Sequence, residues 1–481
     1  MMCRAILRPF VLVFVVGASF CIAMQSAHAA VKPHALFSDG TVLQADTKVP
    51  VWGTANSGEK VTVKFQGQEV SAIAADGKWL VDLEPMKANK TPADMTIEGS
   101  NTINVKNILI GEVWICSGQS NMQWSVNRSE TPAEVLAASA NPQIRLFTVE
   151  RRGTAEPQSE LRRTTAFGFW SECGPQTLGE FSAVAYHFGR ELQKKLDVPV
   201  GLISSNVGGT PAEAWTSRET LLAAPETAIL VDKDPARPPK SSALFNAMIK
   251  PLAPYAIRGV NWYQGESNAG RAYQYRTLFP AMINDWRSTW GQGEFPFLYV
   301  QLAPFKAKSP EPIESDWAEL REAQVLTLKE PNTAMIVITD VGDEGDIHPK
   351  PKAPVGQRLA LAARGVAYGE KIEISGPVYS GMNVTGGKIT LSFTNVGQGL
   401  EAKGGPLTGF AVAGNNRKFK NAYAEINGET VVVHSPEIAQ PVAVRYGWAN
   451  YPVVNLWNKD GLPASPFRTD DFPILTGPKS K

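Results

Sequence analysis

Apolar and polar positions divide this chain into three stretches with different rhythms. Residues 31–108 and the segment from 371 onward carry short runs of alternating apolar and polar residues, such as 61–65, 78–83 and 388–393. Turn pairs such as Asp76-Gly77 and Asn427-Gly428 separate them. Alternation with period two marks a strand buried on one face. Short strands of this kind predict a small sandwich-like β domain at each end, over 30–108 and 371–481. Between them, over 109–370, apolar or β-branched runs at 108–115, 200–203, 260–263, 295–302 and 334–339 alternate with helical segments. That order predicts an α/β domain with a parallel sheet. A helix is clearest at 182–196, where Phe188, Leu192 and Leu196 recur every fourth residue. Ser182 can cap its start, and Lys194 and Lys195 complement the dipole at its end. Another helix is expected over 355–363.

Four of the apolar runs give way to polar or glycine-rich clusters. These are Ser117-Gly118-Gln119-Ser120-Asn121-Met122, Asn206-Val207-Gly208-Gly209-Thr210, Gln264-Gly265-Glu266-Ser267-Asn268 and Asp343-Glu344-Gly345-Asp346-Ile347-His348. Ligands of an open α/β sheet bind beyond the carboxyl ends of its strands. Four clusters far apart in sequence are therefore expected to meet at one place. Together they supply a serine, backbone donors, an amide, carboxylates and a histidine, the parts that acyl transfer needs.

Composition and processing signals narrow the classes of partner. Arg4 and Arg8 precede an apolar stretch over 10–23, and Ala27-His28-Ala29 has the small-x-small form of a cleavage site. Residues 1–29 thus read as a secretory signal peptide, and the processed protein as periplasmic or secreted. No later segment is apolar enough to cross a bilayer, so membrane insertion is not expected. Lys and Arg number 47 against 46 Asp and Glu, which leaves no field to steer a polyanion. Nucleic acid is accordingly a poor partner. Cleavage after Ala29 leaves Cys116 and Cys173. An oxidising compartment permits a disulfide between them, with two buried thiols as the alternative.

Residue by residue, the clusters admit a functional and a structural reading. Ser120 follows a strand and a glycine, where a hydroxyl can stand clear of the backbone; Ser and Asn there also suit a helix cap. The sequence around it is not the G-x-S-x-G elbow of the α/β-hydrolases. After cleavage four histidines remain, and His187 falls in a helix, His434 in a strand and His34 beside the new N-terminus. His348 alone follows a strand in a loop, behind Asp343, Glu344 and Asp346. A general base needs such an acid to fix its tautomer. That acidic loop could equally bind a cation, but the EF-hand spacing is absent. Gly208 and Gly209 let backbone N–H groups approach a substrate oxygen, and the Gln264 side chain can donate another bond. Glu266 is ambiguous. It could pair with Asp343 or Asp346 as in a glycosidase, or orient His348. Trp124, Trp215 and Trp262 flank the clusters as aromatic faces suited to sugar stacking, or to packing.

On these residues the chain resembles the sialate O-acetylesterase-like carbohydrate esterases of the SGNH hydrolase superfamily. The likeness runs through Cys116 to Met122, through Gly208-Gly209-Thr210-Pro211-Ala212-Glu213-Ala214-Trp215, through Trp262 to Arg271, through Asp346-Ile347-His348-Pro349 and into Val444-Arg445-Tyr446-Gly447-Trp448. It implies a three-layer α/β/α catalytic domain flanked by β domains, and removal of acetyl groups from sugar hydroxyls with no cofactor and no metal. Carried over by motif, Ser120 is the nucleophile and His348 the general base. The Ser120 N–H, a glycine of the Gly208-Gly209 pair and Gln264 form the oxyanion hole. Many superfamily members place an aspartate three residues before the histidine, where this chain has Gly345. Asp346 is therefore the expected acid, with Glu266 as the alternative. The expected partner is an acetylated oligosaccharide or glycan, met by Gln119, Asn121, Trp124, Trp215, Trp262 and Asn268.

Two other classes compete. A glycoside hydrolase would use Glu266 with Asp343 or Asp346 and leave Ser120 and His348 without a role. A non-catalytic carbohydrate-binding protein would leave four converging polar clusters unexplained.

Overall fold

The computed structural model describes residues 1–2, 30–231 and 241–478. The export signal expected at the N-terminus falls almost wholly on 3–29, outside the described residues. Among the described residues no helix is long and apolar enough to cross a membrane.

A large mixed sheet organises the chain. Its core strands are β1 (Thr102–Gly118), β2 (Asn141–Thr148), β3 (Trp170–Cys173), β4 (Val200–Asn206), β5 (Gly259–Tyr263), β6 (Phe297–Val300) and β7 (Thr333–Ile336). In space they run β3-β2-β4-β1-β5-β6-β7, all parallel except β3, which pairs antiparallel with β2 at one edge. Consecutive residues of these strands enter different apolar clusters. Ile115, Ile203, Val260 and Phe297 pack with α3 (Ala272–Trp290) and α4 (Asp316–Leu326). Trp114, Cys116, Leu202 and Leu298 pack with α2 (Ala183–Leu196) and α5 (Ala353–Val366). Burial on both faces explains why these runs read as continuous apolar stretches.

The first half of β1 belongs to the N-terminal β region, pairing parallel with Val42–Gln44 and antiparallel with Asn89–Glu98. Its second half is the middle of the parallel sheet. The change of sequence rhythm near residue 108 therefore falls inside one continuous strand. In the C-terminal region two four-stranded sheets, one holding Lys388–Thr394 and the other Phe410–Ala413, feed a common apolar cluster.

The 182–196 helix forms as the sequence predicts, with the Ser182 side chain accepting from the Ala185 N–H. Cys116 and Cys173 are buried free thiols, each pushed up to about 12 by burial. The topology accounts for the missing bridge. They lie on β1 and β3, three strand spacings apart at about 4.8 Å each, beyond the roughly 7 Å limit for bridging Cα atoms.

Candidate active site

The central strands β4, β1 and β5 end level with one another: Gly118 is the register partner of both Asn206 and Tyr263. The chain can turn there only because residue 118 is glycine. Its φ is 137°, and a Cβ would sit 2.1 Å from the Tyr263 carbonyl oxygen. Ser120 follows at once as the first residue of a one-turn helix, α1 (Ser120–Gln123). A first-turn N–H has no acceptor within its helix, so the Ser120 N–H is left as a donor.

The loop after β7 returns to this point. His348 Nε2 lies 2.8 Å from Ser120 Oγ, between residues 228 positions apart in the chain. Asp346 Oδ1 faces the other ring nitrogen at 3.2 Å and also accepts from the His348 backbone N–H at 2.9 Å. The acid thus fixes both the ring and the loop carrying it. Asp343 Oδ1 accepts from the N–H groups of Gly345 and Asp346, which holds the turn, while Glu344 pairs with Lys308 at 2.6 Å. The imidazole stacks on Trp124 at 4.7 Å and 16°, and Arg128 covers a Trp124 face at 3.8 Å. Partial burial is the largest influence on His348 and lowers its affinity for a proton; Asp346 opposes that, and Lys352 and Arg128 add to it. The net direction is down, toward the neutral ring that can accept the serine proton.

Gly208 and Gly209 open the loop after β4 and stand at the surface beside the serine. A Cβ at position 208 would lie 3.2 Å from the Ser120 Cβ, so the glycine permits the close approach. The Gly208 N–H donates to Gln123 Oε1 at 2.7 Å.

The remaining expected site residues are structural supports. Gln264 is fully buried. Its amide nitrogen donates to Asn268 Oδ1 at 2.6 Å and to the Thr210 carbonyl at 3.3 Å, so both its hydrogens are occupied and none is aimed at a substrate oxygen. Asn268 is equally buried, and its oxygen also accepts from the Ala212 N–H at 2.9 Å. The pair ties the end of β5 to the loop that presents Gly208. Gln119, 2 % exposed, accepts from the Ser267 N–H and links the serine turn to the same segment. Trp215 and Trp262 have no exposed surface and meet edge to face at 5.9 Å inside the core. Trp124 is only 7 % exposed, its rings occupied by His348 and Arg128. The expected sugar-stacking role of these three tryptophans is thus replaced by packing.

Asn121 is buried as well, and every polar atom of its amide is engaged. Nδ2 donates to Glu266 Oε1 at 2.6 Å and to the Ile347 carbonyl at 3.0 Å, and Oδ1 accepts from Lys352 Nζ at 2.5 Å. Glu266 is partly buried against Asn121; its Oε2 is shielded from solvent without a hydrogen-bond partner, and no bond to the imidazole occurs among the described residues. Lys352 is the residue the sequence concealed. It follows Pro349-Lys350-Pro351 with no pattern to mark it, yet it is 1 % exposed, and burial brings it down to about 7. Arg128 and Gln123 likewise carried no sequence signal.

A cavity of about 580 Å³ lies off this constellation, bordered by Trp448, Tyr451 and Arg445. Its lining includes Lys308, the partner of Glu344.

Comparisons with known proteins bear on this arrangement. Residues 110–364 match the family described as carbohydrate esterase, sialic acid-specific acetylesterase. The sialate O-acetylesterase of Homo sapiens is 35 % identical over 468 residues, covering 87 % of this chain and 88 % of the human protein. That of Mus musculus is 33 % identical over 469 residues, covering 84 % and 86 %. The crystal structure of a carbohydrate acetylesterase from Xanthomonas citri superposes with a TM-score of 0.85 at 41 % identity, covering 92 % of this chain and all of that one. The chain is a carboxylic ester hydrolase. More narrowly, it belongs to the sialic acid-specific acetylesterase family of carbohydrate esterases.

Proposed function

We propose that this protein removes acetyl groups from sugar hydroxyls through an acetyl-serine intermediate on a three-layer SGNH-type domain. The observation that carries the reading is the 2.8 Å contact between Ser120 Oγ and His348 Nε2. His348 takes the hydroxyl proton as Ser120 Oγ attacks the acetyl carbonyl carbon. The carbonyl oxygen becomes an oxyanion, received by the N–H groups of Ser120 and Gly208, the latter on release from Gln123. Collapse breaks the ester bond, and the sugar oxygen leaves with the proton from His348. Water then attacks the acetyl-serine with His348 again as base, releasing acetate and restoring the serine. Asp346 steadies the imidazolium in both steps.

The relatives support acetylated sialosides as the first substrate class to test, with acetylated xylan or xyloglucan fragments as the alternatives within the same chemistry. Export through the segment 1–29 would place the enzyme with extracellular or periplasmic glycans. The glycosidase alternative gains no support from Glu266, whose Oε1 accepts from Asn121 and whose Oε2 is shielded from solvent. Acetate release from a panel of O-acetylated sialosides, xylo-oligosaccharides and xyloglucan fragments tests the proposal. Release from one class and not the others assigns the substrate. Absence of acetate from every member, with the protein folded, refutes it.

A further inference from the structure

Ser120 and His348 belong to segments that are joined by one buried side chain. Asn121, next to the serine, donates through Nδ2 to the carbonyl of Ile347, next to the histidine. That bond is possible in only one orientation of the amide. Turned over, its oxygen would face two acceptors, Glu266 Oε1 and the Ile347 oxygen, while its nitrogen faced the Lys352 ammonium. Lys352 and Glu266, on opposite ends of the amide, therefore set its direction. A lysine with 1 % exposure is costly to bury unless it has such a partner, and the partly buried Glu266 shares the same amide through Oε1.

Charge adds a second effect. Lys352 stands 5.8 Å from the Trp124 ring that stacks on His348 and 5.6 Å from the Tyr263 ring. Glu266 and Asp346 face Lys352 as opposite charges, and Asp346, Lys352 and Arg128 act on His348. Beyond Lys352, a small cavity is bordered by Glu130, Glu134, Arg190 and His187, the last held neutral by burial. A cation fixed behind the imidazole opposes its protonation.

We propose that Glu266, Asn121 and Lys352 form a buried positioning network for the ester hydrolysis. Asn121 locks the serine turn to the histidine loop, Lys352 orients that amide and backs the imidazole with positive charge, and Glu266 balances Lys352 instead of orienting His348. The inference rests on the serine–histidine reading above and adds three positioning residues to it.

Three variants test it on 4-nitrophenyl acetate. Asn121→Asp keeps the shape and the acceptor for Lys352 but loses both donor bonds. Its kcat is expected to fall on the order of 100-fold, as for a small misplacement of reacting groups, with KM within about threefold. Lys352→Met removes the cation, so the acid limb of the kcat/KM profile should move up by about half a pH unit or more. Lys352→Arg should return that limb toward wild type. Near-wild-type kcat in folded Asn121→Asp, or an unmoved acid limb in folded Lys352→Met, overturns the proposal. If Lys352→Met does not fold, the Asn121→Asp result decides alone. Ser120→Ala separates the two levels. Activity in that variant removes the serine–histidine reading itself. Its inactivity beside wild-type behaviour of the other variants removes only the network.

Discussion

Replacing Asp346 by Asn tests how this site orients its base. The carboxylate accepts from the ring at 3.2 Å and from the His348 backbone N–H at 2.9 Å. Asparagine can keep the second bond through its oxygen but cannot stabilise an imidazolium. Where the acid of such a triad is deeply buried, the amide costs about 10⁴-fold in kcat. Here the side chain is 47 % exposed, so water and salt screen its charge and can partly replace it. A loss on the order of 100-fold, about half of the buried case on the logarithmic scale, is expected for Asp346→Asn at its pH plateau. The sign of the pH effect is also fixed. Asp346 raises the proton affinity of His348, so its removal moves the acid limb to lower pH while the plateau falls. Steady-state hydrolysis of 4-nitrophenyl acetate from pH 4.5 to 8 reads both quantities. A plateau within threefold of wild type would refute the assignment of Asp346. A loss of that size in Glu266→Gln, with Asp346→Asn active, would transfer the role to Glu266.

Three further outcomes follow from the same geometry. In the wild type, kcat/KM should hold its plateau below pH 6.5, the ordinary imidazole value, and fall only as pH drops through the lowered value of His348; a midpoint above 6.5 would contradict the burial argument. Gly118→Ala forces a Cβ against the Tyr263 carbonyl at positive φ, so urea unfolding should show a loss of about 3 kcal/mol or more, and an unchanged midpoint would contradict it. For a chain beginning at residue 30, thiol titration in denaturant without reductant should count two free thiols, Cys116 and Cys173, and dithiothreitol should leave Tm unchanged; a reductant-dependent Tm would reveal a bridge.

Much of this arrangement could be read from residue order because strands buried on both faces leave an unbroken apolar signature. The runs at 200–203 and 260–263 became Val200–Asn206 and Gly259–Tyr263, and the polar clusters after them marked the sheet rim. The helix at Ala272–Trp290 was not singled out: Pro280 lies inside it, and its apolar face is interrupted by buried Asp285 and Arg287. The meeting of Ser120 with His348 was legible from the strand-end clusters, while the choice of Asp346 over Glu266 came only from the family resemblance. Direction and burial of side chains were not legible. Gln264, Asn268, Trp215 and Trp262 lie in or just after the strands that lead to the sheet rim, yet tertiary packing turns them inward to tie loops together or fill the core. Lys352 shows the converse, a residue type that is normally solvated drawn inside by Asn121 and the charge of Glu266.

The central claim is that the hydroxyl of Ser120 is the atom acylated. Treatment with a 4-nitrophenyl alkylphosphonate, followed by peptide mass spectrometry, tests it most directly. The account predicts one adduct, on Ser120, formed in step with loss of acetate release and absent from Ser120→Ala, whose kcat should be at least about 10³-fold lower. Adduct formation on another residue, or acetate release undiminished in folded Ser120→Ala, would contradict it.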